Sequence, residues 1–217
     1  MFYSQCGEDK MLYEKYFKNY SLKGQKYYLE MGALDGVLFS NTKFYEDTLN
    51  WTGILVEPNP FVYSTLASNR PNNILMSAIC SDQKEALSFS ICVNAPAVCS
   101  LKMTEPKNFD TGFYASSKMI TMKTIPTTLD DIIGKSGLER IDLCVIDVEG
   151  HEVNVLNSFS FKIPVVLWLI EISGTDEKNQ HVIKIMKENK CKFIEKCAHN
   201  MIFIHEDYLK YFSIILY

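Results

Sequence analysis

Four short apolar runs, "KYYLEM", "TGILVEPNP", "RIDLCVIDVEG" and "PVVLWLIEIS", come to an end at the carboxylates Glu30, Glu57, Asp147 and Glu171. Runs this short and this apolar read as strands buried on both faces, and helical spacing returns between them. "NTKFYEDTLNW" reads as a helix that Ser40 or Asn41 can cap, and "FVYSTLASN" as a second. "TTLDDIIG" is a short helix capped by Thr127 or Thr128, another helix begins near His151, and "EKNQHVIKIMKEN" is a further one. Strands alternating with helices predict an α/β domain with a mostly parallel sheet covered on both faces. "NNILMSAIC" supplies a third strand, and "KCKFIEKC" with "NMIFIH" a closing antiparallel hairpin. "GEDKMLYEKYF" places an N-terminal helix over residues 4–19.

One region breaks the alternation. "ALSFSICV" and "KMITMKTI" show the period-two pattern of an antiparallel pair and bound an insert over about residues 86–125. The long loop between them is of the kind that forms lids and binding loops. Its Phe109, Phe113 and Tyr114 could stack on a sugar or other flat face, or form the loop's own small core.

Length and charge narrow the classes. A chain of 217 residues predicts one domain, residues 1–217. The short lead before the first motif also fits a domain excised from a larger protein. Lys and Arg number 22 against 26 Asp and Glu, a net charge of −4, so no positive excess offsets phosphates and nucleic acid is not the expected partner. Seven cysteines, an odd number with no CxxC pair, predict buried reduced thiols. With no leader-like N-terminus and no apolar run near the ~20 residues of a span, the expectation is a soluble, cytoplasmic protein.

The first strand-turn-helix, "YYLEMGALDGVLFSNT", has Gly32 and Gly36 but lacks the middle glycine of a dinucleotide fingerprint, because Leu34 and Asp35 occupy that region. Asp35 would also turn negative charge toward a pyrophosphate. An adenosyl cofactor with a positive centre and no phosphates, S-adenosylmethionine, suits the site better. Glu57, ending the second strand, can accept hydrogen bonds from both ribose hydroxyls, and Ser77-Ala78 would lie beside the adenine. Each acid alone could equally be structural, Glu57 for example by capping a strand ahead of two prolines.

"YLEMGALDGVLFSNT", "GILVEPNPFVYSTLASNRPN", "IPTTLDDII" and "IDLCVIDVEGHEVNVLNSF" resemble, in that order, the successive motifs of the FkbM-type methyltransferases. "YSQCGEDKMLYEKYF" is similar to the Ser-Gln-x-Gly-Glu-Asp segment ahead of them, and "HNMIFIH" looks like their closing strand. The resemblance spans about residues 3 to 206. It departs at Glu30 and Leu34, where Asp and Asn are frequent. It implies a Rossmann-like class I methyltransferase fold, S-adenosylmethionine as donor, and O-methylation of a sugar, glycan or other small hydroxylated metabolite. It also implies that the N-terminal segment lies over the cofactor, so that Gln5 and Asp9, four apart on one helix face, could contact the methionine moiety. The other cofactor candidates are Glu30, Gly32, Asp35, Gly36, Ser40, Asn41, Glu57, Ser77, Ala78 and Asp147.

Methyl transfer to an alcohol needs alignment and removal of a proton. "IDVEGHE" offers Asp147, Glu149 and His151 at period-two spacing, which would face one side if the backbone stayed extended. Glu149 and His151 are the candidates for taking the proton, and Glu171 would face the same crevice. The competing readings are a helix cap for Asp147, a helix-dipole partner for Glu149 and a surface position for His151. These four could instead hold a hard divalent cation, without a tight ligand spacing to support it. His199-Asn200 could reach the same rim. Other readings stay open: methylation of RNA, although no lysine closely flanks Asp147 or Glu171, of a protein side chain or another small metabolite, or a silent adenosyl-binding module.

Overall fold

The structure is a computed structural model and describes residues 1–93, 99, 101, 118–172 and 175–213. Seven strands form one sheet: β1 (Tyr27–Met31), β2 (Thr52–Val56), β3 (Ile74–Met76), β6 (Ile141–Ile146), β7 (Val165–Glu171), β8 (Cys191–Cys197) and β9 (Asn200–His205). Their order is β3-β2-β1-β6-β7-β9-β8. The pairs from β3 to β7 are parallel; β9 runs antiparallel to both β7 and β8. Taken in chain order, the sheet reads 3-2-1-4-5-7-6 with the seventh strand reversed. This is the Rossmann-like arrangement that the sequence leads one to expect, with its closing antiparallel hairpin.

The apolar runs are continuous because both faces of the sheet are covered. Leu29, Ile54, Cys144, Ile146, Trp168 and Ile170 face one layer, with Ile132 and Ile133 of α4 (Leu129–Ser136), Leu156 of α5 (Glu152–Asn157) and Met186 of α6 (Asp176–Glu188). Their alternates Tyr28, Leu55, Leu143, Val145, Leu167 and Leu169 face the other. There they meet Leu12 of α1 (Glu8–Leu12), Tyr45 of α2 (Lys43–Leu49) and Leu66 of α3 (Pro60–Asn69). A one-residue slip would send each set to the wrong layer, so burial on both faces specifies the register.

The caps are local and simple. Asn59 accepts the N–H of Phe61 with Pro60 at the first helical position, and Thr128 accepts the N–H of Asp131. The N-terminal helix is shorter than expected: α1 opens at Glu8 and runs through a π-helical turn to Phe17, so Gln5 lies outside it. The antiparallel pair is present as β4 (Leu87–Cys92) and β5 (Met119–Thr124), a separate two-stranded sheet. Phe109, Phe113 and Tyr114 lie outside the described residues. No helix among the described residues is long and apolar enough to cross a membrane.

Candidate active site

The strand order reverses between β1 and β6, and in open α/β sheets the ligand crevice opens beyond the carboxyl ends of the strands at that point. A cavity of about 380 Å³ lies there, within the usual range of roughly 300–1,000 Å³ for small-molecule sites. Gly32 shapes it. Its φ is +78°, and a Cβ at this position would meet the Asp147 carbonyl oxygen at 2.2 Å, so only glycine lets the β1 turn and the β6 tip approach this closely.

Ten of the predicted site residues line this cavity: Gln5, Glu30, Gly32, Asn41, Glu57, Ala78, Asp147, Glu149, His151 and Glu171. The first two strand-end acids are held from within. Glu30, 2% exposed, accepts the Ser40 hydroxyl at 2.8 Å, the Asn41 N–H at 2.6 Å and the Thr42 hydroxyl at 2.5 Å. Glu57 accepts the Leu34 N–H at 2.9 Å and the Asn59 N–H at 2.7 Å. It thereby ties the glycine turn to the start of α3. Burial pushes the Glu57 carboxyl up to about 7, despite two N–H groups that favour its ionised form.

The acids beyond β6 and β7 press on one another. Burial raises Asp147, the Glu152 carboxylate raises it further, and a hydrogen bond with Glu171 works the other way. Burial and then the like charges of Asp147, Glu149 and Glu152 raise Glu171 more strongly, so Glu171 is the member that carries their shared proton. Glu149 is pushed up to about 7 by burial and by Asp147 and Glu152. His151 is buried at the N-cap of α5, with Nε2 3.0 Å from the Ser81 hydroxyl, and is not a surface residue. The backbone does not stay extended: Glu149 has φ 54° and Gly150 φ 92°. The three side chains of "DVEGH" converge through that left-handed turn, not through strand pleating.

Five predicted cofactor contacts lie off the cavity, each for a local reason. Asp9 is fully buried and accepts the N–H groups of Tyr3, Ser4 and Lys10 and the Ser4 hydroxyl, at 2.6, 3.3, 2.7 and 2.7 Å. It fastens the segment that carries Gln5. Asp35 turns back to accept the N–H groups of Val37 and Leu38 at 2.9 and 2.8 Å, so its charge is spent within the turn. Gly36, at φ +80°, is required by packing: a Cβ would meet Arg70 Cγ at 2.6 Å and Leu66 at 2.7 Å. Ser40 accepts the N–H of Lys43 at 3.0 Å and so serves α2. Ser77 is exposed beyond the short β3. His199 and Asn200 border a smaller adjoining cavity instead.

Sequence reasoning passed over three features. Phe89, with Ile79, Cys99 and Leu101, makes an apolar wall; the alternation Leu87, Phe89, Ile91 in β4 was the available signal. Leu38 and Phe39 stand at the cavity rim. Arg70, wholly buried, donates to the Gly36 carbonyl, Tyr28 Oη and the Thr42 hydroxyl at 2.8, 2.8 and 3.1 Å and pairs with Glu46. It thus frames the turn that Glu30 organises, and nothing local in "SNRPN" marks it.

The Methyltransferase FkbM domain profile matches residues 30–212. The chain belongs to the FkbM methyltransferase family. A solved structure, a TehB-like SAM-dependent methyltransferase from Corynebacterium glutamicum, is similar over 94% of this chain and 89% of its own, at 6% identity and a TM-score of 0.46. No curated protein matches.

The family's donor is S-adenosylmethionine, and the cavity suits it. Five acidic side chains, Glu30, Glu57, Asp147, Glu149 and Glu171, line it, and no lysine or arginine is among the described residues lining it. Asn41 Oδ1 and Glu171 Oε2 are buried acceptors with no donor within the described protein. Such atoms call for a ligand that donates hydrogen bonds, as an ammonium or a ribose does. No group of three or more His, Cys, Asp or Glu among the described residues is arranged to hold a metal ion.

Proposed function

We propose that this chain transfers the methyl group of S-adenosylmethionine to a hydroxyl of a sugar, free or within a glycan. The observation that carries the reading is the cavity's lining of acidic side chains with no lysine or arginine among its described residues, which disfavours a phosphate-bearing acceptor and favours a cationic donor and a hydroxylated acceptor. S-adenosylmethionine, when bound, supplies an electrophilic methyl group on a sulfonium.

On this reading Glu57 receives the ribose hydroxyls, with Ala78 and Ile79 beside the base. Asn41, Asp147 and Gln5 hold the amino-acid end, where unpartnered Asn41 Oδ1 can accept from an ammonium. Glu149 takes the acceptor's proton: its carboxyl lies near neutrality, so at pH 8 it is mostly ionised and basic enough to help. His151, oriented by Ser81, and Glu171, which keeps its proton, orient the acceptor hydroxyl beside it.

Incubation with methyl-labelled donor and a panel of free sugars and glycans, with products identified by mass, tests the proposal. A methylated sugar ether is the expected product. Label recovered only in RNA, in protein or in a non-sugar metabolite would overturn it.

A further inference from the structure

The walls of the cavity differ in what they can still accept. Under the β4–β5 hairpin, Cys99 accepts from Asn59 Nδ2 at 3.5 Å and from the Cys92 N–H at 3.4 Å, beside Glu57. This wall covers the part of the cavity assigned above to adenosine. At the opposite side a second cavity of about 50 Å³ adjoins the first and shares Gln5, Phe39, Asn41, Asp147 and Glu171 with it. Phe39 stands where the two meet. Phe39 is 40% exposed, and its neighbour Leu38, on the main cavity, is 51% exposed.

Phe39 is also held in an unfavourable backbone state. Its φ is 61°, a left-handed value that a bulky side chain rarely adopts. Asp35 pins the preceding N–H groups of Val37 and Leu38, Ser4 bridges to Phe39 from the N-terminal segment, and Ser40 next to it is bound to Glu30. Strain imposed from three sides on an exposed ring at a cavity rim is the pattern of a ligand clamp.

We propose that Phe39, with Leu38 beside it, is the platform on which the acceptor sugar lies. The acceptor then enters between the N-terminal segment and the tips of β6 and β7, not beneath the hairpin. The proposal rests on the sugar-hydroxyl reading above and adds the residue that selects the ring. A pyranose offers a face of C–H groups and a rim of hydroxyls. The first suits an exposed aromatic face, and the second suits Glu149 and Glu171.

The test measures binding to the protein saturated with S-adenosylhomocysteine, using methyl glucopyranoside, galactopyranoside, mannopyranoside and fucopyranoside as probes in saturation-transfer NMR. The proteins are wild type, Phe39→Ala, Phe39→Tyr and Phe61→Ala, the last an exposed phenylalanine that does not line the cavity. For the pyranoside that wild type binds, Phe39→Ala weakens affinity about tenfold, while Phe39→Tyr and Phe61→Ala stay close to wild type. S-adenosylhomocysteine affinity, by calorimetry, is the same in all four and shows that each is folded. Equal sugar affinity in Phe39→Ala and wild type overturns the platform and leaves the sugar reading standing. No pyranoside bound by wild type at tens of millimolar overturns the sugar reading, and the platform with it.

Discussion

The two ends of the cavity are built from the same residue type in opposite ways. At the tips of β1 and β2, Glu30 and Glu57 have their oxygens engaged by five N–H and O–H groups of the loops that follow. At the tips of β6 and β7, Asp147, Glu149 and Glu171 mainly face each other, and mutual repulsion adds to burial in raising their affinity for protons. A carboxylate whose oxygens are taken up by surrounding donors is fixed in place, even where burial raises its affinity for protons as at Glu57. One crowded by other carboxylates is raised by their charge as well as by burial, and keeps oxygens open toward the cavity. The first end is thus suited to grip a donor and the second to handle a proton.

The contrast breaks most sharply if Glu149 has no chemical role. Glu149→Gln is expected to lower kcat by about 100-fold while donor affinity changes little, in steady-state kinetics paired with calorimetry. The wild-type rate should rise with pH through about 7, because the ionised carboxylate is the active form, and the variant should lose that limb. A variant with wild-type kcat would remove Glu149 from the mechanism.

At the other end the expected losses lie in binding and stability. Glu57→Ala leaves the Leu34 and Asn59 N–H groups buried without their acceptor, at a cost of about 1–3 kcal/mol each, and should weaken S-adenosylmethionine binding at least tenfold with chemistry per bound donor preserved. Urea unfolding and calorimetry separate the two effects. Asp9→Ala should cost about 2 kcal/mol by releasing the N-terminal segment. It should also raise the acceptor KM, because the Ser4 bridge to Phe39 is set by that carboxylate. An unchanged KM would show that the segment does not serve the site.

The smallest effect tests the charge of the whole cavity. Glu57 and Glu149 both ionise near 7, and each loss of a proton makes the cavity more attractive to a cation. Affinity for S-adenosylmethionine should therefore strengthen severalfold from pH 6 to pH 8. Its demethylated product, lacking the sulfonium charge, should gain less. In the ligand-free protein the sign reverses. A carboxyl whose folded value is raised binds more protons folded than unfolded between about 4.5 and 7, so stability falls as pH climbs through that window. Thermal melts at pH 5 and 7.5 check this.

How much was legible depended on the distance over which each residue acts. The four apolar runs and their closing acids announced strands and a crevice, because burial on both faces leaves a continuous hydrophobic signature in adjacent residues. Asp9 and Asp35 lie off the cavity for the converse reason. A carboxylate near a predicted pocket looks functional in one dimension, yet a neighbouring backbone N–H a few residues away can consume it. Arg70 acts on Gly36, Thr42 and Tyr28, more than 25 residues away in the chain, so no local pattern revealed it.

Local chemistry in the chain therefore determined the layers, the strand order's parallel character and the acids at the strand tips, since hydrophobic periodicity and turn residues act between near neighbours. Only the tertiary structure decided which of those acids face other acids and which are sated by N–H groups. It alone put Phe39 at the rim and brought the turn at Glu149 round to the cavity. Those outcomes depend on how closely separate strand ends approach, here within reach of a glycine and too near for any side chain.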